Sequence, residues 1–491
     1  MRQLFLWHRW LGIGLCIFMA LWFISGMVML FVGYPKLTLA EHLQSLPVLS
    51  SDRNYININD AFRQTGKTEL PTDIKLSSIA NKPVYLFNYP EQPVIAINAI
   101  TGENIHHIDA EQAIQSAKSM YPDAHADYRG LIDKDAWTQS SALNAERPLH
   151  VVSLDDKDQT QLYISSHSGM IVRDATFTER SWGWLGAWLH WIYPVRSMPW
   201  WADMIIYLSL AATIMSLLGQ YLGLKRWRFS KTYRSGSHSP YRKGFARWHH
   251  IGGMLFGVLL ILWIFSGLMS MRPWNLFSNA SQLSLQRYSG ENASLLSSPF
   301  SSAQLLKRFE AGEFKPRELS WHQVKGQVWV SAQDQHGKRL VTPLVNTDRV
   351  YKQIPFITLK QAIQTISTSA ESDLIWLTHY DFYYYNRAEQ SMFGDRERPL
   401  PILRVKFNDH AQTWLHINPA TGEILESIDS QRRIARYLFN LLHSWDWQPL
   451  LERPVVRESL IVTFSLGGLL ICISGIVVGW RRVKRHIKVT V

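Results

Sequence analysis

Four stretches of the chain are apolar for longer than a soluble element needs: about residues 5–33, 202–224, 246–271 and 458–480. Each reaches the ~20 residues with which a helix crosses the hydrocarbon of a bilayer. They are separated by two long polar blocks, 34–200 and 272–457, and by a basic linker, 225–245; a basic tail, 481–491, follows. Inside the polar blocks the hydrophobic period shortens to two. Val84 to Asn88, Val94 to Ile100 and Gln161 to Ile164 alternate as strands do, the last running on to a Ser168-Gly169 turn. Val328-Trp329-Val330, Leu403 to Phe407 and Trp414 to Ile417 alternate likewise, the last ahead of Thr421-Gly422. Glu111 to Met120 and Leu359 to Ser367 have helical spacing. An antiparallel sheet covered by a helix, an α+β unit, is expected in each block.

The pattern is written twice. Trp7 to Gly26 reads WHRWLGIGLCIFMALWFISG, and Trp248 to Gly267 reads WHHIGGMLFGVLLILWIFSG. Without a gap, Trp7, His8, Gly12, Trp22, Ser25 and Gly26 fall on Trp248, His249, Gly253, Trp263, Ser266 and Gly267. Farther along, Leu162, Gly169, Leu185 and His190 fall on Leu415, Gly422, Leu438 and His443, and the same register sets Trp227 on Trp480. The expected architecture is a tandem duplication: four transmembrane helices with two outer α+β domains, as parallel repeats about an axis along the membrane normal. The first span has the look of a signal peptide, with Thr38-Leu39-Ala40 as a weak cleavage site. Its unclipped copy in mid-chain argues for a retained helix.

Charge then orients the chain. Residues 225–243 hold Lys225, Arg226, Arg228, Lys231, Arg234, Arg242 and Lys243, and the tail holds Arg481, Arg482, Lys484, Arg485 and Lys488, neither with an acid. Loops of this kind stay in the cytoplasm. Both termini are therefore expected inside, and both polar blocks in the periplasm of a Gram-negative cell. A net charge of +12 would otherwise suggest nucleic acid; its distribution makes it a topology signal, and no nucleic-acid partner is expected. The 21 tryptophans crowd the span ends, like an interfacial belt against the lipid. The 2 cysteines, Cys16 and Cys472, lie inside spans, so neither a disulfide framework nor covalent CxxCH haem attachment is implied. No paired carboxylates, nucleophile triad, zinc spacing or phosphate loop is present.

The tandem WH…W..SG helices, with the strand-TGE turns Thr101-Gly102-Glu103 and Thr421-Gly422-Glu423, resemble the PepSY-associated transmembrane family over essentially the whole chain. Within it the chain looks like the inner-membrane ferric-siderophore reductases that hold two b-type haems. The resemblance implies a ferric siderophore or other periplasmic Fe(III) chelate as acceptor. The chain has no GxGxxG and no flavin or nicotinamide domain, so a separate electron donor is expected, either a cytoplasmic reductase or quinol.

Among 18 histidines, His106, His107, His125 and His336 lie in polar stretches and read as solvated. Four stand apart as repeat-related pairs beside the membrane. A ligand on a twofold axis meets the same residue from each half, so His8 with His249 would clamp a haem near the cytoplasm, and His190 with His443 a second near the periplasm. Imidazole suits iron. Gly12 and Gly253, one turn on, remove a side chain where a macrocycle can rest. His250 is a rival to His249, but its counterpart is Arg9; symmetry favours His249, and Arg9 and His250 are candidates for a propionate contact. The stretch Ser181 to Tyr193 puts Gly183, Gly186 and His190 on one helix face. Ser25-Gly26 and Ser266-Gly267 read as helix packing ahead of haem clearance. The run His379-Tyr380-Asp381-Phe382-Tyr383-Tyr384-Tyr385 reads as packing ahead of a substrate platform. The expected activity is transmembrane electron transfer by a haem oxidoreductase. The competing class is a non-enzymatic membrane protein whose outer domains bind or regulate a periplasmic peptidase.

Overall fold

The computed structural model describes residues 1–490 apart from 278–280, 291–295, 297–298, 346–347, 368–370, 393 and 395. The side chains of His486 and of residues 488–490, Lys488 of the basic tail among them, lie outside the description. Four helices have the length and apolar character to cross a membrane: Arg2–Phe31, Trp201–Arg226, Phe245–Ser270 and Pro454–Arg485, the last within a helix that runs to Thr490. They form one bundle. Leu15, Met19 and Phe23 of the first helix meet Ala212 and Met215 of the second, Leu260, Trp263 and Ile264 of the third, and Ile461, Ile471 and Cys472 of the fourth. Ile17, Leu21, Leu255, Val258 and Leu466 stay exposed on the outside of this bundle. Such a face is stable against lipid chains and costly against water.

The polar blocks contribute fifteen strands: β1 (Asp73–Ile79), β2 (Lys82–Asn88), β3 (Ile95–Asn98), β4 (Asn104–Ile105), β5 (Ala126–Ile132), β6 (Leu149–Leu154), β7 (Gln161–Ser165) and β8 (Ile171–Ala175) from the first, then β9 (Glu318–Val324), β10 (Gln327–Gln333), β11 (Arg339–Pro343), β12 (Ser372–Leu377), β13 (Ile402–Phe407), β14 (Trp414–Ile417) and β15 (Ile424–Ile428) from the second. Two four-stranded sheets follow the expected plan. In the order β5-β6-β7-β8, Val152, Leu162 and Ile164 pack beneath Ala113 and Ala117 of the helix Ala110–Met120. In the order β12-β13-β14-β15, Leu403, Val405 and Leu415 pack beneath Leu359, Ala362 and Ile363 of the helix Phe356–Ile366.

The third sheet corrects the division into separate domains at 34–200 and 272–457. It has seven strands in the order β11-β10-β9-β1-β2-β3-β4, drawn from both blocks. At the seam β1 pairs antiparallel with β9, with Ile74 opposite Trp321, Lys75 opposite Ser320 and Leu76 opposite Leu319. The reason lies in β1 itself. Ile74 and Leu76 are fully buried, and an unpaired edge there would leave backbone donors and acceptors unsatisfied. Lys75 Nζ also reaches Glu318 Oε1 at 3.0 Å across the seam. Burial alone would raise the Glu318 carboxyl, but Lys75 and His42 beside it hold it down at about 2. The shared sheet requires both polar blocks to lie on one side of a membrane.

Each block returns to the bundle in the same way. The helix Phe177–Gly183, capped by Thr176 and Glu179, runs into a π-helical turn, Trp184–Trp188, and delivers His190. The helix Ser430–Arg436, capped by Asp429, runs into a π-helical turn, Tyr437–Leu441, and delivers His443. A π turn holds one residue more than an α turn and rotates everything after it. Gly186, facing Val28 of the first membrane helix, allows that close approach.

Candidate functional site

Two histidine pairs form, one at each end of the bundle. The rings of His8 and His249 have centroids 6.2 Å apart and planes tilted by 38°. His8 Nδ1 lies 3.0 Å from the Met215 carbonyl of the second membrane helix. His249 Nδ1 lies 3.0 Å from the Ile471 carbonyl of the fourth, with Ser474 Oγ at 3.3 Å. A carbonyl only accepts, so each Nδ1 carries the proton and each Nε2 keeps its lone pair. Glycines make room for these rings: a Cβ at Gly219 would stand 2.5 Å from His8 Cε1, and one at Gly475 3.2 Å from His249 Cε1.

The rings of His190 and His443 have centroids 6.1 Å apart. His190 Nδ1 lies 3.0 Å from Ser25 Oγ, and His443 Nδ1 lies 3.1 Å from Ser266 Oγ. Each serine hydroxyl donates its own hydrogen to a backbone carbonyl, Ser25 to Trp22 and Ser266 to Trp263. It can therefore only accept from the histidine, and the tautomer is again Nδ1–H with Nε2 bare. The indole N–H groups of Trp22 and Trp263 donate to the backbone carbonyls of His190 and His443, at 3.1 and 3.0 Å. Burial pushes the imidazolium of His190 down to about 3 and that of His443 to about 4, so both rings stay neutral at physiological pH.

The ring spacing tests what the pairs can hold. Two imidazoles hydrogen-bonded directly, nitrogen to nitrogen at about 2.9 Å, would bring the centroids to about 5.1 Å. One metal between them, with two bonds of ~2.0–2.1 Å and ~1.1 Å from each nitrogen to its ring centre, gives about 6.2–6.4 Å. Both observed values exceed the direct hydrogen-bonded spacing and are compatible with the second arrangement, as they are with plain ring-to-ring contact. Among the described residues no group of three or more His, Cys, Asp or Glu is placed to hold a metal ion. Each pair thus brings two imidazoles together, each with an Nε2 lone pair not engaged by its Nδ1 partner. Ser25 follows His8 by seventeen residues of one helix, as Ser266 follows His249, a rise of about 25 Å. The pairs therefore stand at opposite ends of a hydrocarbon core of about 30 Å.

The other site candidates divide. A Cβ at Gly253 would meet nothing, whereas one at Gly12 would meet the sulfurs of Met215 at 3.7 Å and Cys16 at 4.0 Å in ordinary contact, so only Gly253 borders open space. Arg9 is half-buried next to His8. His250 is corrected as a cofactor contact. Its Nε2 donates to the Gly223 carbonyl at 3.0 Å and its Nδ1 accepts from Ser239 Oγ at 2.7 Å, so both nitrogens are occupied in pinning the linker to the bundle. The ungapped register also fails beyond His190: Met215 corresponds in contact to Ile471, and Gly219 to Gly475, three residues off the spacing that relates His190 to His443. The alignment of Trp227 with Trp480 is not the structural one. In the tyrosine run, Tyr384 is buried and donates to the Pro399 carbonyl, and Asp381 pairs with Arg404 at 2.5 Å, which is packing. Tyr383 and Tyr385 instead line the outer part of a cavity of about 740 Å³ whose wall includes His190 and His443 and reaches inward to Phe23, Gly26 and Ile461.

Sequence reasoning named the serines but missed their contact with the outer histidines. Ser25 and Ser266 are fully buried in the bundle, as helix packing requires, and each also accepts from an outer histidine. The signal was a hydroxyl repeated three residues after a tryptophan inside two apolar spans.

Fold and site together define a polytopic membrane protein with soluble α+β regions and a pair of facing histidines at each end of its helix bundle. The profile of the PepSY-associated TM region matches residues 5–343, and the chain belongs to that family. No curated protein matches the chain.

Proposed function

We propose that this protein is a di-haem oxidoreductase of the bacterial inner membrane, with both termini cytoplasmic and its PepSY-like α+β domains in the periplasm. It passes electrons outward to a ferric siderophore or other Fe(III) chelate. The chain is read as a tandem duplication whose parallel repeats each give one ligand to each haem: His8 with His249, and His190 with His443. The observation that carries the reading is the spacing of the two ring pairs, 6.2 and 6.1 Å, with all four Nδ1 atoms engaged.

When bound, the haems supply reversible one-electron carriage. The chain's own residues do the rest. Met215, Ile471, Ser25 and Ser266 fix the tautomer and aim of each ligand, and acceptors on Nδ1 raise the basicity of Nε2. Phe23, Trp263, Leu260 and Met19 fill the bundle between the pairs and exclude water. At the periplasmic end one electron converts chelated Fe(III) to Fe(II), which hard oxygen ligands hold less strongly. A cytoplasmic reductase or quinol replaces that electron.

A pyridine haemochrome assay on purified protein should give two b-type haems per chain. His190→Ala or His443→Ala should halve that content and leave the inner haem spectrally intact. Colourless protein from haem-replete cells would sink the reading in favour of a peptidase-binding or regulatory protein, and unchanged haem in both variants would sink the pairing.

A further inference from the structure

Among the described residues, the cavity at the outer pair is lined by nine arginines and two glutamates, Glu426 and Glu458. Eight of the nine arginines belong to the second half of the chain. Some are compensated. Arg398 pairs with Glu426 at 3.1 Å, and Arg387 and Arg457 share the buried Asp446 at 3.5 and 3.6 Å. The stripe on the helix Ser430–Arg436 is held differently. The Arg436 guanidinium lies over the rings of Tyr385 and Phe382, at 3.9 and 4.5 Å, and that of Arg433 over Trp414 at 4.3 Å. Arg436 Nε and Nη2 are buried with no hydrogen-bond partner. Among the described residues neither Arg432 nor Arg436 forms an ion pair. Aromatic faces fix a guanidinium without cancelling its charge. The stripe leads along its helix to His443.

The first half keeps only Arg180, which bonds the Ala175 and Gln159 carbonyls as Arg433 bonds those of Ile428 and Gln412; it lacks counterparts of Arg432 and Arg436. The register that carries His190 to His443 sets Glu179, Arg180 and Gly183 opposite Arg432, Arg433 and Arg436. Glu179 is occupied in capping its own helix, and Gly183 is pressed against Trp137, where a Cβ would stand 2.7 Å from the indole. One half closes this face with a ring; the other presents guanidinium groups to the cavity. Structural need alone would treat the two faces alike. A haem brings two carboxylates, fewer than the cationic excess of the wall.

We infer that this wall is the docking site of a polyanionic Fe(III) chelate, one whose iron is held by carboxylate or catecholate oxygens, and that the chelate approaches through the second half of the chain. The inference deepens the proposed function and rests on it for the redox step; the anion site itself rests on the cavity. A positive, low-dielectric cleft concentrates anions and speeds their association by about 10–1,000-fold. In the step, one electron leaves the reduced outer site, which becomes oxidised, and Fe(III) in the docked chelate becomes Fe(II). No proton or bond needs to move in the protein, and the donor on the other face restores the electron.

The test uses the full-length protein in lipid nanodiscs, reduced with dithionite and freed of excess reductant. It is mixed in a stopped-flow instrument with ferric citrate or with a cationic ferric trihydroxamate. Re-oxidation by the citrate complex should be at least tenfold faster at low salt, and should slow as ionic strength rises. Arg432→Gln with Arg436→Gln should slow it about tenfold, and Arg432→Lys with Arg436→Lys should restore most of the rate. Redox-inert gallium(III) citrate, followed by calorimetry, reads binding alone. A cationic chelate that reacts as fast, or a rate that rises with salt, overturns the inference and leaves the proposed function standing. Gallium citrate binding that the glutamine variant loses, with no chelate re-oxidising the protein, upholds the anion site and overturns the redox reading. Neither binding nor re-oxidation overturns both. Should the variants lose haem, the charge and salt dependence of the unmodified protein still decide.

Discussion

Replacing Ser25 by alanine isolates the role of a single hydroxyl. In the native protein His190 Nδ1–H has that hydroxyl as its acceptor at 3.0 Å, in a buried site. Without it a buried donor is left unpaired, which costs about 1–3 kcal/mol. On the di-haem reading the cost falls on the outer site, and loss of such a partner lowers metal affinity roughly 10–100-fold. The imidazole also becomes a weaker base and stabilises ferric iron less, so the outer potential rises. A difference of ~1 kcal/mol between the two oxidation states corresponds to about 40 mV for one electron. Ser266→Ala should be milder, because His443 Nδ1 has the Trp263 carbonyl within 3.3 Å as a second acceptor. Spectroelectrochemical titration of the reduced α-band reads both variants, with the inner haem as internal reference. Equal shifts in the two variants would remove the compensating role of the Trp263 carbonyl; no shift in either, or a shift of the inner haem, would refute the assigned tautomer and its consequence.

On the same di-haem reading, Gly219→Ala places a methyl 2.5 Å from the His8 ring and should remove the proposed inner haem, whereas Gly26→Ala, 3.5 Å from His190, should keep the outer one; visible spectra of the two variants give the comparison. Asp174 is buried, and burial, reinforced by Glu41 and Glu179, pushes its carboxyl up to about 7. Its folded form holds a proton the unfolded form has lost, so its contribution is intact below about pH 4 and declines as pH rises towards 7, by up to about 4 kcal/mol. Asp174→Asn should therefore raise the melting temperature at pH 8 and leave it nearly unchanged at pH 4; the same gain at both values would contradict the assignment.

The membrane helices and most local strands could be read from the chain because their signals are local. The first span, read as 5–33, is the helix Arg2–Phe31, and Trp414 to Ile417 is a strand with those ends. Run length and alternation set such elements within a few neighbouring residues. The pairing of β1 with β9 joins residues with two membrane helices between them, and no local pattern marks which distant edge will meet. The π turns before His190 and His443 were invisible for a related reason, since one inserted residue does not disturb hydrophobic periodicity. At the site, the internal repeat singled out the four histidines. It favoured His249 over His250, whose counterpart is Arg9, but could not show what His250 does instead, because that depends on Ser239 and the Gly223 carbonyl, which only the folded linker brings near. Nor could it show a three-residue shift of the fourth helix, as apolar helix sequences align almost equally well in neighbouring registers.

The seam between β1 and β9 sets a timetable for assembly. When the first polar block emerges, β1 has its partner β2 on one side and a bare edge on the other, lined by Ile74 and Leu76. The strand that will cover it has not yet been made, and two more apolar helices precede it in the chain. Until then that edge is open to pairing with any passing chain. The halves of this protein thus look alike in sequence but cannot mature independently, and neither should yield a soluble, monomeric product when expressed alone.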